Sequence, residues 1–359
     1  METSEQQPHV KLTRLGIISF VLGLLSPFAL FTVEIAAERG YAGDSLGLFA
    51  AYAFLCTAVP AVILGIIAWA RIAGSGGRFA GLGFAVGGLA TPIGTLLLYL
   101  ALYVGSHSIS YRMVCATNLS GICRAMEIYA NDYDDLLPRA GGPDSSWTGR
   151  VADWKAPDRF RAYGLKPDGS GGQASITSSL YLLVRYVEVP PKAFICKCDS
   201  GASEFKSSYE APGAEAAELW DFGPSPAEHV SYSYHMPYSP YALTPSSDPG
   251  MAVAADRNPW QRSPAAKARD FRAFDPNGTR AQVKAGNAMA HKSEGQNVLF
   301  LDGSFAFEKT PACGVGGDNI YTSWSGTDIR RGTPPKLGDQ PKDRLDSFLV
   351  NDPPKSDDK

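Results

Sequence analysis

The residues of this chain best suited to chemistry are few and widely spaced. His291 is followed after ten residues by Asp302, and a histidine beside a carboxylate could serve as a general base or hold a metal. The competing reading gives Asp302 and Gly303 a structural task, because an Asp-Gly pair between two apolar runs favours a type I′ hairpin turn. His235, Asp256 and His291 offer a mixed donor set, but their separations of 21 and 35 residues match no compact ligand motif. Cys196-Lys-Cys198 is one residue too short for a thioredoxin-like CxxC pair. Outside the cytoplasm, either thiol of that pair could instead bond to Cys123 or Cys313. Asp132, Asp134 and Asp135, with Asn131 before them, crowd hard oxygens of the kind that bind calcium. That run lacks the glycine and distal glutamate of an EF-hand loop, so a solvated helix stop competes with a calcium site. With His291, these aspartates are the candidate metal ligands. No GxSxG, HExxH or P-loop arrangement occurs. No residue is therefore assigned a catalytic role, and no cofactor beyond calcium is considered.

The elements that would carry these residues begin with three long uncharged stretches, Leu15–Val33, Ser45–Ala70 and Phe79–Ser106. A helix needs roughly 20 apolar residues to cross the hydrocarbon core of a bilayer, so a three-helix anchor over 13–106 is expected, with the lipid bilayer as its first partner. The first stretch is longer than a signal-peptide core and is expected to stay uncleaved. Lys11 and Arg14 precede it, Arg71 and Arg78 flank the link between the second and third, and the 34–44 link is acidic on balance. Positive charge marks the cytoplasmic side. These clusters predict a cytoplasmic N-terminus over 1–12, and they put everything after the third helix outside the cytoplasm, as in a multi-pass inner-membrane protein. No Asp, Lys or Arg lies mid-span, which argues against an ion or proton pathway. Gly83 and Gly87 have GxxxG spacing and would let the third helix pack closely, either on its neighbours or in a dimer. The net charge of −3 comes without a basic block, so nucleic acid is not an expected partner.

No turn signal separates the third stretch from 108–130, where apolar residues recur with helical spacing at Ile109, Met113, Ala116, Leu119, Cys123, Met126 and Ala130. One long helix is expected there, ending at the Asn131–Asp135 run. Ser178–Val187 reads as a short helix. Strands are expected at 194–196, 230–234, 251–255, and on either side of Asp302-Gly303 at 297–301 and 304–309. Five cysteines in the soluble part leave at least one thiol unpaired. The segment 333–359 is rich in proline and charge and is expected to be loosely ordered.

The helix CATNLSGICRAMEIYANDYDDLLP (115–138), the segments at 178–200, 230–238 and 254–260, and HKSEGQNVLFLDGSFAFEK (291–309) resemble, in the same order, bacterial type II secretion pseudopilin-like proteins. The last segment is similar to that family's C-terminal signature of a His followed about ten residues later by Asp-Gly. Residues 12–104 resemble a small bacterial multi-helix membrane domain of unknown function, which implies anchoring. The family resemblance implies an α+β pilin-like domain over 107–332, in which a long N-terminal helix packs on a small antiparallel sheet, and it implies envelope or secretion proteins as partners. The leader and cleavage site of a pseudopilin are absent ahead of the helix. The expected function is that of a non-enzymatic structural or interaction protein of the cell envelope. A membrane-tethered metal-dependent hydrolase using His235, Asp256, His291 and Asp302, or a ligand- or carbohydrate-binding module, is the alternative.

Overall fold

The computed structural model describes residues 11–38 and 44–354, with side chains described at 11–28, 52–100 and 111–354. Most of the 1–12 segment, the centre of the 34–44 link and the last five residues lie outside the described residues. The chain divides into two compact units, Met1–His107 and Ser108–Lys359.

The first unit contains α1 (Arg14–Glu38), α2 (Asp44–Ala73) and the start of α3 (Leu82–Asp132). Two windows, Tyr52–Ala73 and Leu82–Leu100, are long and apolar enough to cross a membrane, and Arg14–Phe28 is a shorter apolar helical segment. Small residues let these helices touch. Gly23 lies against the Gly88 backbone, a Cβ on Gly65 would meet the Ala85 carbonyl, and the Ser19 hydroxyl donates to the Ala61 carbonyl at 2.7 Å. Gly87 is faced by the Phe20 ring of the same chain, while Gly83 has open space. Large apolar side chains such as Ile17, Val21, Leu55, Ile63, Leu97 and Leu98 point outward and stay exposed. An outward apolar surface of this extent suits lipid better than water.

The second unit is α+β. A five-stranded antiparallel sheet is built from β1 (Tyr232–His235), β2 (Ala252–Asp256), β3 (Gln296–Phe300), β4 (Phe305–Glu308) and β5 (Leu349–Val350), in the order β5-β1-β2-β3-β4. On one face Tyr232, Tyr234, Ala254 and Leu299 share a core with Cys115, Leu119, Ile122, Met126 and Tyr129 of α3. These helix positions follow one another at steps of four, three, four and three, so they form a single stripe. The stripe expected from sequence had a different phase: Met113 is exposed and Cys123 only half-buried, whereas Cys115 and Ile122 are buried. Behind the other face, Ala255, Val298 and Leu349 pack with Trp260, Phe274, Ile320 and Tyr321. Residues 194–196, expected to be a strand, are not one: Phe194 closes the 3-10 turn Pro191–Phe194, which the fixed φ of Pro190 and Pro191 favours, and 195–196 follow it as loop.

Two further corrections concern the C-terminal half. Of the expected loose tail 333–359, residues 346–352 are built into the core. Phe348, Leu349 and Val350 are fully buried, and β5 pairs with β1 through Leu349↔His235 and Val350↔Tyr234. The proline- and charge-rich composition there hid a short apolar run that fills a sheet edge. The Asp352 carboxylate then reaches short helix-adjacent ground. After the one-turn helix α4 (Arg159–Tyr163) comes α5 (Ile176–Val187), and Asp352 accepts the N–H groups of Ile176 at 3.0 Å and Thr177 at 2.7 Å, together with the Trp147 indole N–H at 2.8 Å. Those first-turn N–H groups have no partner inside the helix, and a carboxylate there also meets the positive end of the helix dipole. The second correction is the hairpin turn. Gly303 (φ 80°) is left-handed but Asp302 is not among the positive-φ residues, so the turn is not type I′. Gly303 N donates to Phe300 O, Phe300 N donates to Ser304 O, and the Asp302 carboxylate accepts the Ser304 N–H and hydroxyl. This is the longer hairpin loop with a left-handed glycine, and the structural roles of Asp302 and Gly303 lie in it.

Candidate metal centre

The donor atoms of Cys115, Cys196, Asp256 and His291 all lie within 4.8 Å of one another, and all four residues are buried. Cys115 comes from the α3 stripe, Cys196 from the loop after the Pro191–Phe194 turn, Asp256 from the end of β2 and His291 from the turn before β3.

Each position has a local cause. The loop carrying Cys196 is tied to its surroundings: Asn118 donates to the Ile195 carbonyl at 2.9 Å, and Ser231 N donates to the Phe194 carbonyl at 2.8 Å. Beyond it Asp199 N returns to the Cys196 carbonyl, while the Asp199 carboxylate takes the Arg257 Nε at 2.9 Å and a second Arg257 nitrogen donates to Ala227 O. The pair is almost wholly buried. Removing one partner of such a pair strands the other charge. Arg257→Met is expected to lower unfolding stability by about 3 kcal/mol in chemical denaturation, and Arg257→Lys to recover only part of it, since lysine lacks the second arm.

Asp256 faces the helix because the ladder between β2 and β3 slips between Ala252 and Ala254. Val253 and Ala254 both sit on the helix side, Ala252 and Ala255 on the other. Without that bulge strict alternation would turn Asp256 away from α3. Its Oδ2 accepts the Asn297 backbone N–H at 2.7 Å, while its Oδ1 is buried with no hydrogen-bond partner.

His291 sits in a left-handed run. His291, Lys292 and Ser293 have φ of 52°, 58° and 57°, and none is glycine. Each such residue costs roughly 1–2 kcal/mol, and runs of this kind persist only where their surroundings over-determine them. Arg269 and Asn287 do so here. Arg269 donates to the carbonyls of Lys284, Ala285 and Asn287 and to the Ser293 hydroxyl, and Asn287 Nδ2 donates to the carbonyls of Ser293 and Lys309. The imidazole meets the Phe307 ring edge-on at 5.8 Å. Its Nε2 lies 3.4 Å from Asp256 Oδ2, 3.6 Å from Cys196 Sγ and 3.1 Å from Asn297 Nδ2.

The electrostatics are those of a dry, electron-rich pocket. The Cys115 and Cys196 sulfurs are 2.6 Å apart. The Cys196 thiol holds Cys115 down to about 6 against the opposing effect of burial, and the contacts with Cys115 and Cys198 push Cys196 itself up. Cys198, half-buried, is lowered to about 6 by its contact with Cys196, with help from His291. Burial works against charging His291, but its contacts with Asp256 and Cys115 outweigh burial and raise it to about 10. Two soft sulfurs, one imidazole and one carboxylate therefore converge where water is excluded.

Of the residues singled out from sequence, Cys196, Asp256 and His291 meet here, Cys196 being there a candidate for disulfide chemistry and not for a metal. His235 is buried with Nε2 3.3 Å from the Asp346 carbonyl, and burial lowers it to about 4, so it is a neutral core histidine. Asp302 stays in its hairpin, so the four residues expected of a hydrolase do not form one constellation. Asp132, Asp134 and Asp135 lie exposed at the end of α3, the last two with positive φ, and they are not part of the cluster that holds His291. The pairings with Cys123 or Cys313 that the sequence left open to Cys196 or Cys198 are not formed, as the alternative of unmodified thiols allowed. Cys123 lies 3.8 Å from Glu127 Oε1, Cys313 donates to the Pro311 carbonyl, and every cysteine is free. Sequence reasoning missed Cys115 altogether, although its i, i+4, i+7, i+11 relation to Leu119, Ile122 and Met126 was a usable signal.

Comparison with family models, with curated proteins and with solved structures finds no match to this chain.

Proposed function

We propose that this is a multi-pass membrane protein of the bacterial envelope, anchored by three helices, whose Ser108–Lys359 unit lies outside the cytoplasm and serves a structural or interaction role rather than an enzymatic one. The observation that carries the reading is the continuity of α3: one uninterrupted helix from Leu82 to Asp132 holds both an apolar window and the buried stripe Cys115–Tyr129 of the α+β core. A helix built that way carries an apolar window and part of a folded core on one element. Lys11, Arg14, Arg71 and Arg78 favour the cytoplasmic side for the N-terminus and for the link between α2 and α3. The non-enzymatic assignment draws on the burial of the Cys/Asp/His cluster, whose four residues are each at most 5 % exposed and so beyond the reach of a substrate. The order of the pseudopilin-like segments, from the 115–138 helix to the 291–309 signature, supports a pilin-like domain and a link to secretion partners.

The test is topology. Protease added to intact spheroplasts carrying a C-terminally tagged chain is expected to remove the tag while cytoplasmic marker proteins survive. A protected tag with a disrupted-cell control that is cleaved overturns the assignment.

A further inference from the structure

We propose that Cys115, Cys196, Asp256 and His291 bind one zinc ion in a closed structural site that joins α3 to the sheet. The inference goes beyond the anchoring role and does not depend on which side of a membrane the unit occupies.

The donor set is the first argument. Two sulfurs, an imidazole nitrogen and a carboxylate oxygen are ligands that zinc accepts together, and four protein ligands with no open position mark structural sites. Geometry is the second. Zinc bonds of roughly 2.0–2.3 Å in a tetrahedron set ligand–ligand edges of about 3.3–3.8 Å. The Cys196–His291 edge of 3.6 Å and the His291–Asp256 edge of 3.4 Å already have that length. The Cys115–Cys196 edge of 2.6 Å must open, for which each sulfur has its χ1 rotation about the Cα–Cβ bond.

Two further observations at the cluster residues also point to a ligand. Asp256 Oδ1, beside the Oδ2 that forms the 3.4 Å edge, is fully buried and unpartnered, and a carboxylate in that state is costly unless a cation offsets its charge. The left-handed run His291–Ser293 stores strain without a single glycine, and it sets the imidazole against the other three donors. The chain spends conformational energy twice, at the β2 bulge and at this turn, and both distortions deliver a donor to the same point. On binding, each coordinating thiol gives up its proton to solvent and the sulfur lone pair goes to the metal, so no oxidant or reductant takes part. A divalent cation also offsets the negative charge that two thiolates and a carboxylate would place in a desolvated pocket.

The test uses the full-length chain purified in detergent with reductant. Metal analysis is expected to give about one zinc per chain. Cys115→Ser and His291→Asn, the latter chosen because asparagine tolerates a left-handed backbone, are expected to lose it. Cys123→Ser and Cys313→Ser, outside the cluster, are expected to keep it. Asp256→Asn preserves shape and is expected to weaken zinc binding at least 10-fold in competition with a chromophoric chelator. Cobalt exchanged for zinc is expected to show sulfur-to-cobalt charge transfer that weakens in Cys196→Ser, which reports ligation rather than folding. Three results overturn the proposal: zinc-free protein whose peptide map joins Cys115 to Cys196 as a disulfide, stoichiometric zinc retained in both Cys115→Ser and His291→Asn, or zinc lost in Cys198→Ser but retained in Asp256→Asn.

Discussion

Asp352→Ala is expected to lower the stability of the Ser108–Lys359 unit by roughly 3–5 kcal/mol. The wild-type carboxylate satisfies three buried donors: the first-turn N–H groups of Ile176 and Thr177 and the Trp147 indole. Each donor left without an acceptor in the interior costs about 1–3 kcal/mol, and the helix loses a charge at its positive end. Part of the loss is offset because Asp352 is itself fully buried, and burial raises its pKa. Asp352→Asn keeps one oxygen for Ile176 and Trp147 but turns an amide N–H toward Thr177, so it should fall between wild type and alanine. Urea unfolding followed by tryptophan emission checks both variants, with Trp147→Phe as the control that removes the local reporter. An alanine variant as stable as wild type would show that water replaces the carboxylate without cost.

The second large effect is a carboxyl contribution to stability that declines as pH rises from about 4 to about 8, opposed in part by His235, whose lowered pKa adds stability as pH rises from about 4 to about 6.5. Asp318 and Asp346 are both buried. Burial first, and the neighbouring Asp346 second, push Asp318 up to about 8, while burial pushes Asp346 up to about 6. Asp221 rises to about 7, again by burial. For a carboxyl group whose folded pKa exceeds its unfolded value near 3.9, the folded state binds the proton more tightly. Its contribution to stability is therefore fullest below pH 4 and is lost as pH climbs through the folded value. For Asp318 alone the loss is on the order of 5 kcal/mol across that window. Asp346→Asn is the informative variant. Asp346 Oδ2 accepts the N–H groups of Trp324 and Lys342, and Oδ1 has no partner. An amide can keep the accepting oxygen and place its nitrogen at the empty position. The variant should be more stable than wild type at pH 8, nearly unchanged at pH 4, and should flatten the melting temperature between them. A wild-type melting temperature that rises from pH 4 to pH 8 would refute the account.

Local chemistry made some of this architecture legible. The continuation of the third apolar helix into 108–132 followed from apolar spacing with no turn signal at the join and from the Asn131–Asp135 stop, although Pro92 lies within the helix. The helix ending at Val187 and the β3–β4 hairpin were likewise written in short-range pattern. Turn type was not, because an Asp-Gly pair fits both a two-residue and a longer loop, and the ladder register between β3 and β4 decides. Asp256 and His291 were visible as candidate ligands and Cys196 as a candidate for disulfide pairing. Cys115 and the meeting of the four were not, for a physical reason: Cys115 meets Cys196 across 81 residues and Cys196 meets His291 across 95. No local periodicity encodes such meetings, and the bulge that turns Asp256 inward leaves no mark in a run of alanines. The left-handed turn at His291 was equally silent, since glycine, the usual signal of positive φ, is missing from it.

The contact between Trp147 and Asp352 spans 205 residues, and that span sets a timetable for synthesis. At ribosomal rates of about 5–20 residues per second, the stripe on α3, which lies still earlier than Trp147, emerges roughly 11–47 s before the strand and carboxylate that complete its core. During that interval the apolar face of the nascent helix has no native partner, and most of the contacts that will stabilise it are distant in sequence. Closure of so large a loop places folding at the slow end for a domain of this size. The nascent chain is thus a natural client for whatever factor shields hydrophobic segments while translation finishes.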